Sequence, residues 1–465
     1  MVAAATLPWL QSPNIRLPTD PPETLDILSF EVASTMSRLI SLNSFLSENE
    51  FTRLRNGPLR SRGVRYLNSE DEFHLLSLAC CEKLDELDSA AFTVSRLGRR
   101  CSDPGLRCRS YDYEDLKQGI VVARDRVEFY SKQGNGSKIF RKMEKYVSAT
   151  TQLHAGLESL AEMEASERKF QMLKLKLEPS KFITNNGCID GQRIAAQRKQ
   201  IKRCRETSLW NVTFDKSVRL MAEAIRVIFI RMCKLFGPFV SFLPCLARSS
   251  DLGLKSKPKN AQLYASGPIQ KSSIPSTPPR FYSQELSSNT WRANPGEETR
   301  QRLPITPPST AGGSGLALRL AEIIVLAERY LHFTTSIDDE ARSAMYEMLP
   351  ESLRAAVKRK LERQWNREEI GGSACQVALA EGWREAAGKI LEWLAPMAHD
   401  TVKWQADRQL ERQMAVDLDG RAKGSVLLVQ TLHYSDTEKT EAAIVEVLVA
   451  LSCVYRYEDL RFRRD

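Results

Sequence analysis

The stretch Ser137–Leu160, SKIFRKMEKYVSATTQLHAGLESL, decides the fold. In it Ile139, Met143, Tyr146, Thr150, Leu153, Leu157 and Leu160 recur at alternating spacings of four and three. A repeat of about 3.5 residues puts those side chains on one seam of a helix, and such a seam needs another helix to cover it. The rhythm returns in Phe214, Val218, Met221, Ile225, Ile228, Met232 and Leu235, after breaks at Glu178-Pro179 and Asn185-Asn186-Gly187. That turn chemistry predicts two long helices folded back as an antiparallel pair spanning residues 134–248. Seams of this kind can close within one chain or between two, which leaves a homo-oligomer open.

Outward toward the N-terminus, residues 24–133 form a predicted helical module behind a polar, proline-rich tail, 1–23. Thr24 is placed to cap a first helix with Leu25, Leu28, Val32, Met36 and Leu39 on its apolar stripe. Ser69 and Glu72 have capping-box spacing ahead of a helix that runs to Gly98, and Tyr111–Tyr130 predicts a further helix. Outward in the other direction, serine, proline and lysine dominate residues 249–309, and hydrophobic periodicity vanishes. That composition predicts a disordered linker. Helical pattern resumes over 310–460, with an amphipathic helix from Leu316 to Leu331 and helices Asp338–Met348, Glu351–Trp365 and Ser373–Leu394. Pro396 should end or kink the last of these. Ser425–Tyr434 is the one β-like run, compatible with a strand or an extended connector. Ser435 to Glu438 repeats the capping-box spacing before a final helix.

The fold class expected is therefore all-α. Of the 465 residues, 42% are hydrophobic and 27% charged, which fits helical cores beside a non-globular portion. A formal net charge of +9 favours acidic partners without selecting one. Ten cysteines at irregular spacings, with no CxxC, indicate reduced thiols in a cytoplasmic or nuclear protein, not a secreted disulfide framework. The start of the chain lacks a secretory pattern, and Val2 follows Met1, so no N-myristoylation glycine is expected. The most apolar stretch, Ala224–Ala247, is interrupted by Arg226, Arg231, Lys234, Pro238 and Pro244. A seam helix with a docked apolar tail explains it better than a membrane span. A peripheral membrane contact through Phe239 and Phe242, with Cys233 or Cys245 acylated, is the alternative.

Several stretches resemble a known family. Phe30–Met36, Gly63–Leu67 and Leu78–Leu84 resemble the N-terminal module of the plant phytosulfokine-simulator (PSK simulator) family. Ser208–Asn211 with Thr213–Asp215 resembles the start of its second seam helix. Gly313–Leu318, Leu349-Pro350 and Thr431–Glu441 resemble its C-terminal module. The resemblance implies a non-enzymatic role in promoting plant growth, tied to phytosulfokine and brassinosteroid responses, with nuclear association in some members. Arg319, Leu320 and Glu322 stand where histidine, tyrosine and asparagine are expected, so this chain departs from the pattern there.

The residues themselves offer no catalytic signature. His74, Cys80, Cys81, Cys101 and Cys108 match no zinc spacing, and neither HExxH nor GxSxG occurs. No catalytic residue, metal or cofactor is assigned. Gly312-Gly313-Ser314-Gly315 lacks the GK[ST] ending of a phosphate loop and is taken as a flexible lead-in to a helix. Arg193, Arg198, Lys199, Lys202, Arg203 and Arg205 crowd one predicted helix. They form a solvated face, with nuclear import or partner binding as the functional alternative. Nucleic acid is disfavoured because no aromatics interleave for base stacking. Ser12, Thr277 and Thr306 precede proline and are candidate phosphosites. Trp365, Trp383, Trp393 and Trp404 are expected in the core, and any left exposed would be interface anchors. The expectation is a scaffold or adaptor that binds protein partners in the nucleus or cytoplasm.

Overall fold

The computed structural model describes residues 23–107, 113, 117, 135–176, 186–243, 306–332, 339–367, 373–413 and 426–462. Its named elements are helices, and the described residues contain only isolated bridges of β type, Thr24 with Thr213 and Thr310 with Asp436. The expected all-α architecture is what the chain adopts. The predicted helix Tyr111–Tyr130 falls almost wholly outside the described residues, as do the N-terminal tail, the linker up to residue 305, Ser12, Thr277, Cys108 and Cys245.

The N-terminal half packs α1 (Ser29–Phe45), α2 (Glu48–Asn56), α3 (Arg62–Leu67), α4 (Glu72–Gly98) and the short α5 (Pro104–Arg107) against α6 (Asn135–Lys176), α7 (Asn186–Thr207) and α8 (Phe214–Phe236). Both predicted capping boxes are shifted. The Asp71 carboxylate, not Ser69, accepts from the Phe73 N–H at 2.9 Å to cap α4. A carboxylate is the stronger acceptor beside the positive end of a helix. Thr24 caps nothing helical: it lies in the bridge to Thr213, and a 3-10 turn, Asp26–Leu28, leads into α1.

The long antiparallel pair is present, and its members are α6 and α7. The Leu209 N–H donates to Thr150 Oγ1 at 3.2 Å, Gln197 donates to the Gly156 carbonyl at 3.1 Å, and Arg198 pairs with Glu164 at 2.8 Å. Leu209 lies beside Thr150, while Gln197 and Arg198 lie beside Gly156 and Glu164, so the two helices run antiparallel. The second seam takes a different route. After the 3-10 turn Leu209–Asn211, α8 enters the body and packs on α4 and α1, with Gly98 of α4 beside Val218. The reason is legible in its side chains. Besides the seam residues, Leu220, Val227 and Phe229 are buried, so α8 is apolar on more than one stripe and needs more than one partner.

In the C-terminal half, α9 (Ala317–His332) and α13 (Thr437–Phe462) pack on α12 (Ser373–Gln413), while α10 (Asp339–Met348) and α11 (Glu351–Arg367) close over α9 and α13. Pro396 lies inside α12 and does not end it. It sits on the exposed side, where water can satisfy the carbonyl that proline leaves without a donor. Ser425–Tyr434 is neither strand nor plain connector: it holds two 3-10 turns, Leu428–Gln430 and Leu432–Tyr434. Helix α13 is capped by Asp436, which accepts from the Lys439 N–H at 2.9 Å, while Ser435 Oγ turns back to the Leu432 carbonyl.

The glycine run before α9 is a packed turn and not a flexible lead-in. A Cβ on Gly313 would fall 2.2 Å from the Pro307 carbonyl oxygen, and one on Gly312 would fall 2.4 Å from His433 Nδ1. Gly315 has φ of +72°, where L side chains are strained. The N–H groups of Gly312, Gly313, Ser314 and Gly315 donate to His433 O, Thr310 Oγ1, Thr310 O and Gly312 O. None is left to cradle a phosphate.

Candidate functional site

The two halves meet in a joint built from five separated stretches. Helix α3 supplies its backbone: the Leu67 carbonyl accepts from the Asp436 N–H at 2.9 Å, and the Tyr66 carbonyl accepts from Lys439 Nζ at 3.3 Å. Gly63 lies so close to α12 that a Cβ there would stand 2.4 Å from the Trp393 carbonyl oxygen. The Tyr66 ring meets the Trp393 indole edge-on at 5.3 Å, and Asn68 donates to the Val429 carbonyl at 2.8 Å. From α12, Thr401 Oγ1 accepts from the Leu432 N–H at 3.0 Å. On the far side Ala311 and Gly312 donate to Ser435 O and His433 O, both at 2.9 Å.

At the centre stands Glu82 of α4, only 4% exposed. Its carboxylate accepts from the Leu428 N–H at 2.8 Å. Burial pushes its pKa up to about 7 from 4.5, a rise that Lys83 and the Leu428 N–H oppose and Glu86 reinforces. The neighbouring Lys83 is also buried, with Nζ 2.7 Å from Glu86 and 5.1 Å from the centroid of the Phe45 ring. Burial raises the Tyr434 hydroxyl as well. Asn68 Oδ1 and Thr437 Oγ1 are buried there without a hydrogen-bond partner.

Glu82 and Lys83 escaped the sequence reading, yet they left a signal. Leu75, Ala79 and Glu82 follow one four-three ridge, and Leu76, Cys80 and Lys83 follow the next. A charge set on an apolar ridge is either exposed by a local break or buried for a purpose, and here both charges are buried. Four of the family-like stretches in the two modules gain a physical meaning too. Gly63–Leu67, Leu78–Leu84, Gly313–Leu318 and Thr431–Glu441 are far apart in sequence but close on, or support, this one joint.

A second concavity, about 510 Å³, opens between α9, α10, α11 and α13. Tyr330, Tyr346, Trp365 and Tyr455 line it, and Arg342 and Arg456 stand over the Tyr455 and Trp365 rings at 5.0 and 5.3 Å. Trp365 is 41% exposed, so it is not the core residue expected; Trp383, Trp393 and Trp404 are half-buried. In the departed stretch, Arg319 Nε donates to the Met348 carbonyl at 2.6 Å, Leu320 is fully buried, and Glu322 faces solvent.

The basic cluster lies on α7. Arg193, Arg198, Lys199, Lys202, Arg203 and Arg205 are all exposed, while Ile194 and Ile201 point inward. Arg198 pairs with Glu164, and Arg205 stands 4.6 Å over the Trp210 ring. Thr306 is half-buried next to the glycine turn, its carbonyl facing Gly313. The apolar tail after α8 docks on the protein. Val240 and Leu243 are buried, and Phe239 packs between Phe51 and Phe73, with Phe242 left exposed. Cys233 is buried, and burial pushes its thiol up to about 12. Among the described residues no helix is long and apolar enough to cross a membrane, and no group of three or more His, Cys, Asp or Glu could hold a metal.

Comparison with known proteins agrees with this division. Residues 27–83 match a domain of unknown function, DUF3475, and residues 310–403 match a protein of unknown function, DUF668. Protein PSK SIMULATOR 1 of Arabidopsis thaliana is 24% identical over 435 residues, 92% of this chain and 55% of that protein. Protein PSK SIMULATOR 3 of the same plant is 23% identical over 439 residues, 92% of this chain and 56% of its own length. The chain thus spans little more than half the length of these relatives. No solved structure matches it. With both matched regions in order around the helical pair, the chain is similar to the plant PSK SIMULATOR proteins along more than nine-tenths of its length.

Proposed function

We propose that this chain is a non-enzymatic scaffold that promotes plant growth, acting in the phytosulfokine and brassinosteroid responses that its relatives' family implies. The observation that carries this reading is the joint. Two modules separated by more than two hundred residues are locked together through backbone hydrogen bonds and a buried carboxylate, which fixes the spacing of any partners they hold. Such rigidity is expensive to build. Its value lies in presenting surfaces at a set distance: the aromatic concavity on one side and the α6–α7 arm on the other.

The test is co-purification from plant cells with the full chain, with and without Gly63→Val, which forces α3 off α12. Specific partners retained by the native chain, and at least one lost when the joint opens, support the scaffold. Unchanged partner sets, or none from either form, reject it.

A further inference from the structure

Among the described residues the α6–α7 arm leaves one groove uncovered, and the reason lies in α1. Helix α6 carries a second apolar ridge beside its seam. In the body it comprises Phe140, Met143, Val147, Thr150 and His154, at spacings of three and four. The first four of these are buried. Helix α1 runs antiparallel along this flank. Near its start Phe30 meets His154 edge-on, 5.3 Å between centroids. Near its end Asn43 accepts from Arg231, which also stands 5.9 Å over the Phe140 ring.

The ridge continues outward as Leu157, Ala161, Ala165, Arg168 and Met172, but the cover does not. The chain leading into α1 is pinned sideways: Leu25 N–H donates to Val212 O at 2.9 Å, and Phe214 N–H to Glu23 O at 3.2 Å. Here α7 packs on α6, with Gln197 on the Gly156 carbonyl and Arg198 on Glu164. Accordingly Leu157 and Ala165 are half-buried, Ala161 is exposed and Met172 is 58% exposed, whereas the same ridge is sealed a few turns earlier.

The opposite wall is cationic where the groove begins, beside Leu157 and Ala161. At about 100° per residue, Arg205, Arg198, Lys202, Lys199 and Arg203 share one arc of α7 of roughly 160°. The Arg198–Glu164 pair shows that this arc faces the same side as the open ridge. Arg168 adds a cation from α6, Glu164 is a carboxylate of the groove, and Glu206 interrupts the cations on the α7 arc.

We infer that this groove receives an acidic amphipathic helix of a protein partner, which completes a three-helix bundle where α1 stops. This rests on the scaffold reading and names the chemistry of one of its surfaces. From Leu157 to Met172 the groove is about 22 Å long, so it fits about four helical turns. The partner's small or aliphatic side chains cover Leu157, Ala161 and Ala165, and its carboxylates lie against Lys202 and Arg198.

The test places a photo-reactive benzophenone side chain at Ala161 of the full chain in plant cells, with Ser159 on the other flank as control. The expected result is cross-linking at Ala161 at least five-fold above Ser159, to a peptide with excess Asp and Glu in a helical pattern. Arg198→Glu with Lys202→Glu should cut that product at least five-fold, with α-helical circular dichroism unchanged. Equal cross-linking on both flanks overturns the inference. So does an adduct with nucleic acid, with this chain's own N-terminal segment, with a second copy, or with a peptide lacking acidic excess. If no adduct forms at Ala161 while the native chain still co-purifies specific partners, the groove assignment fails and the scaffold survives. If the native chain retains no partner, the scaffold itself has failed.

Discussion

The joint and the distal arm are made of the same material, helices with apolar ridges at three-four spacing, and they end in opposite states. At the joint, every ridge finds a cover, down to a carboxylate and an ammonium at buried positions. In the arm, two helices cover each other's seam, and among the described residues the neighbouring ridge of α6 has no cover from α1, which is pinned sideways at its start. A third helix separates the two outcomes. Two helices shield one seam, whereas a body of several helices can also bury the flanks, and with them polar groups that then need internal partners.

The comparison can be broken first by cavities. Phe229 is 1% exposed at the centre of the body, so Phe229→Ala should cost about 3–5 kcal/mol, read by urea denaturation of the full chain. A loss below about 1 kcal/mol would mean that the body is no better packed than the arm.

The second expectation concerns pH. Glu82 is held protonated to about pH 7 in the folded chain but only to about 4.5 when unfolded, so the native state binds the extra proton between those values. Its contribution is therefore fully present below pH 4.5, declines as pH rises, and is lost above about 7; the whole effect is on the order of 3 kcal/mol. Glu82→Gln keeps an acceptor for the Leu428 N–H and removes the titration. The variant should gain stability over the native chain between pH 5 and 8, measured by paired thermal melts. A constant difference across that range would show that Glu82 is not the titrating group.

The third expectation is steric. Gly63→Ala places a Cβ 2.4 Å from the Trp393 carbonyl oxygen, and forcing α3 and α12 apart should cost about 1–3 kcal/mol. Hydrogen exchange should quicken at the N–H groups of Leu428, Leu432 and Asp436 and stay unchanged in α7. The smallest effect belongs to the arm. Leu160 is only half-buried, and Leu160→Ala should cost about 1 kcal/mol, with faster exchange confined to α6 and α7.

Much of this architecture was visible in the chain's periodicity. The first seam, the helix from Glu72 to Gly98 and the helix opened by Pro350 were all legible, because each obeys local rules of spacing and termination. The caps were read one or two residues early, since Ser69 and Ser435 have the right spacing but a nearby aspartate is the stronger acceptor. The partner of Phe214–Phe236 was not legible. A seam records that a helix must be covered, and any apolar ridge of the right length satisfies it. The joint was visible only as scattered family-like stretches, because Glu82 and Leu428 meet across 346 residues.

By itself the sequence determined where helices form, which faces are apolar and which helix carries the cations, all properties of neighbours three or four residues apart. Only the tertiary structure decided which ridges cover one another, that Glu82 loses its water, and that one groove of the arm stays open. Those outcomes depend on volume filled and solvent excluded by residues hundreds of positions away, and no local pattern encodes that competition.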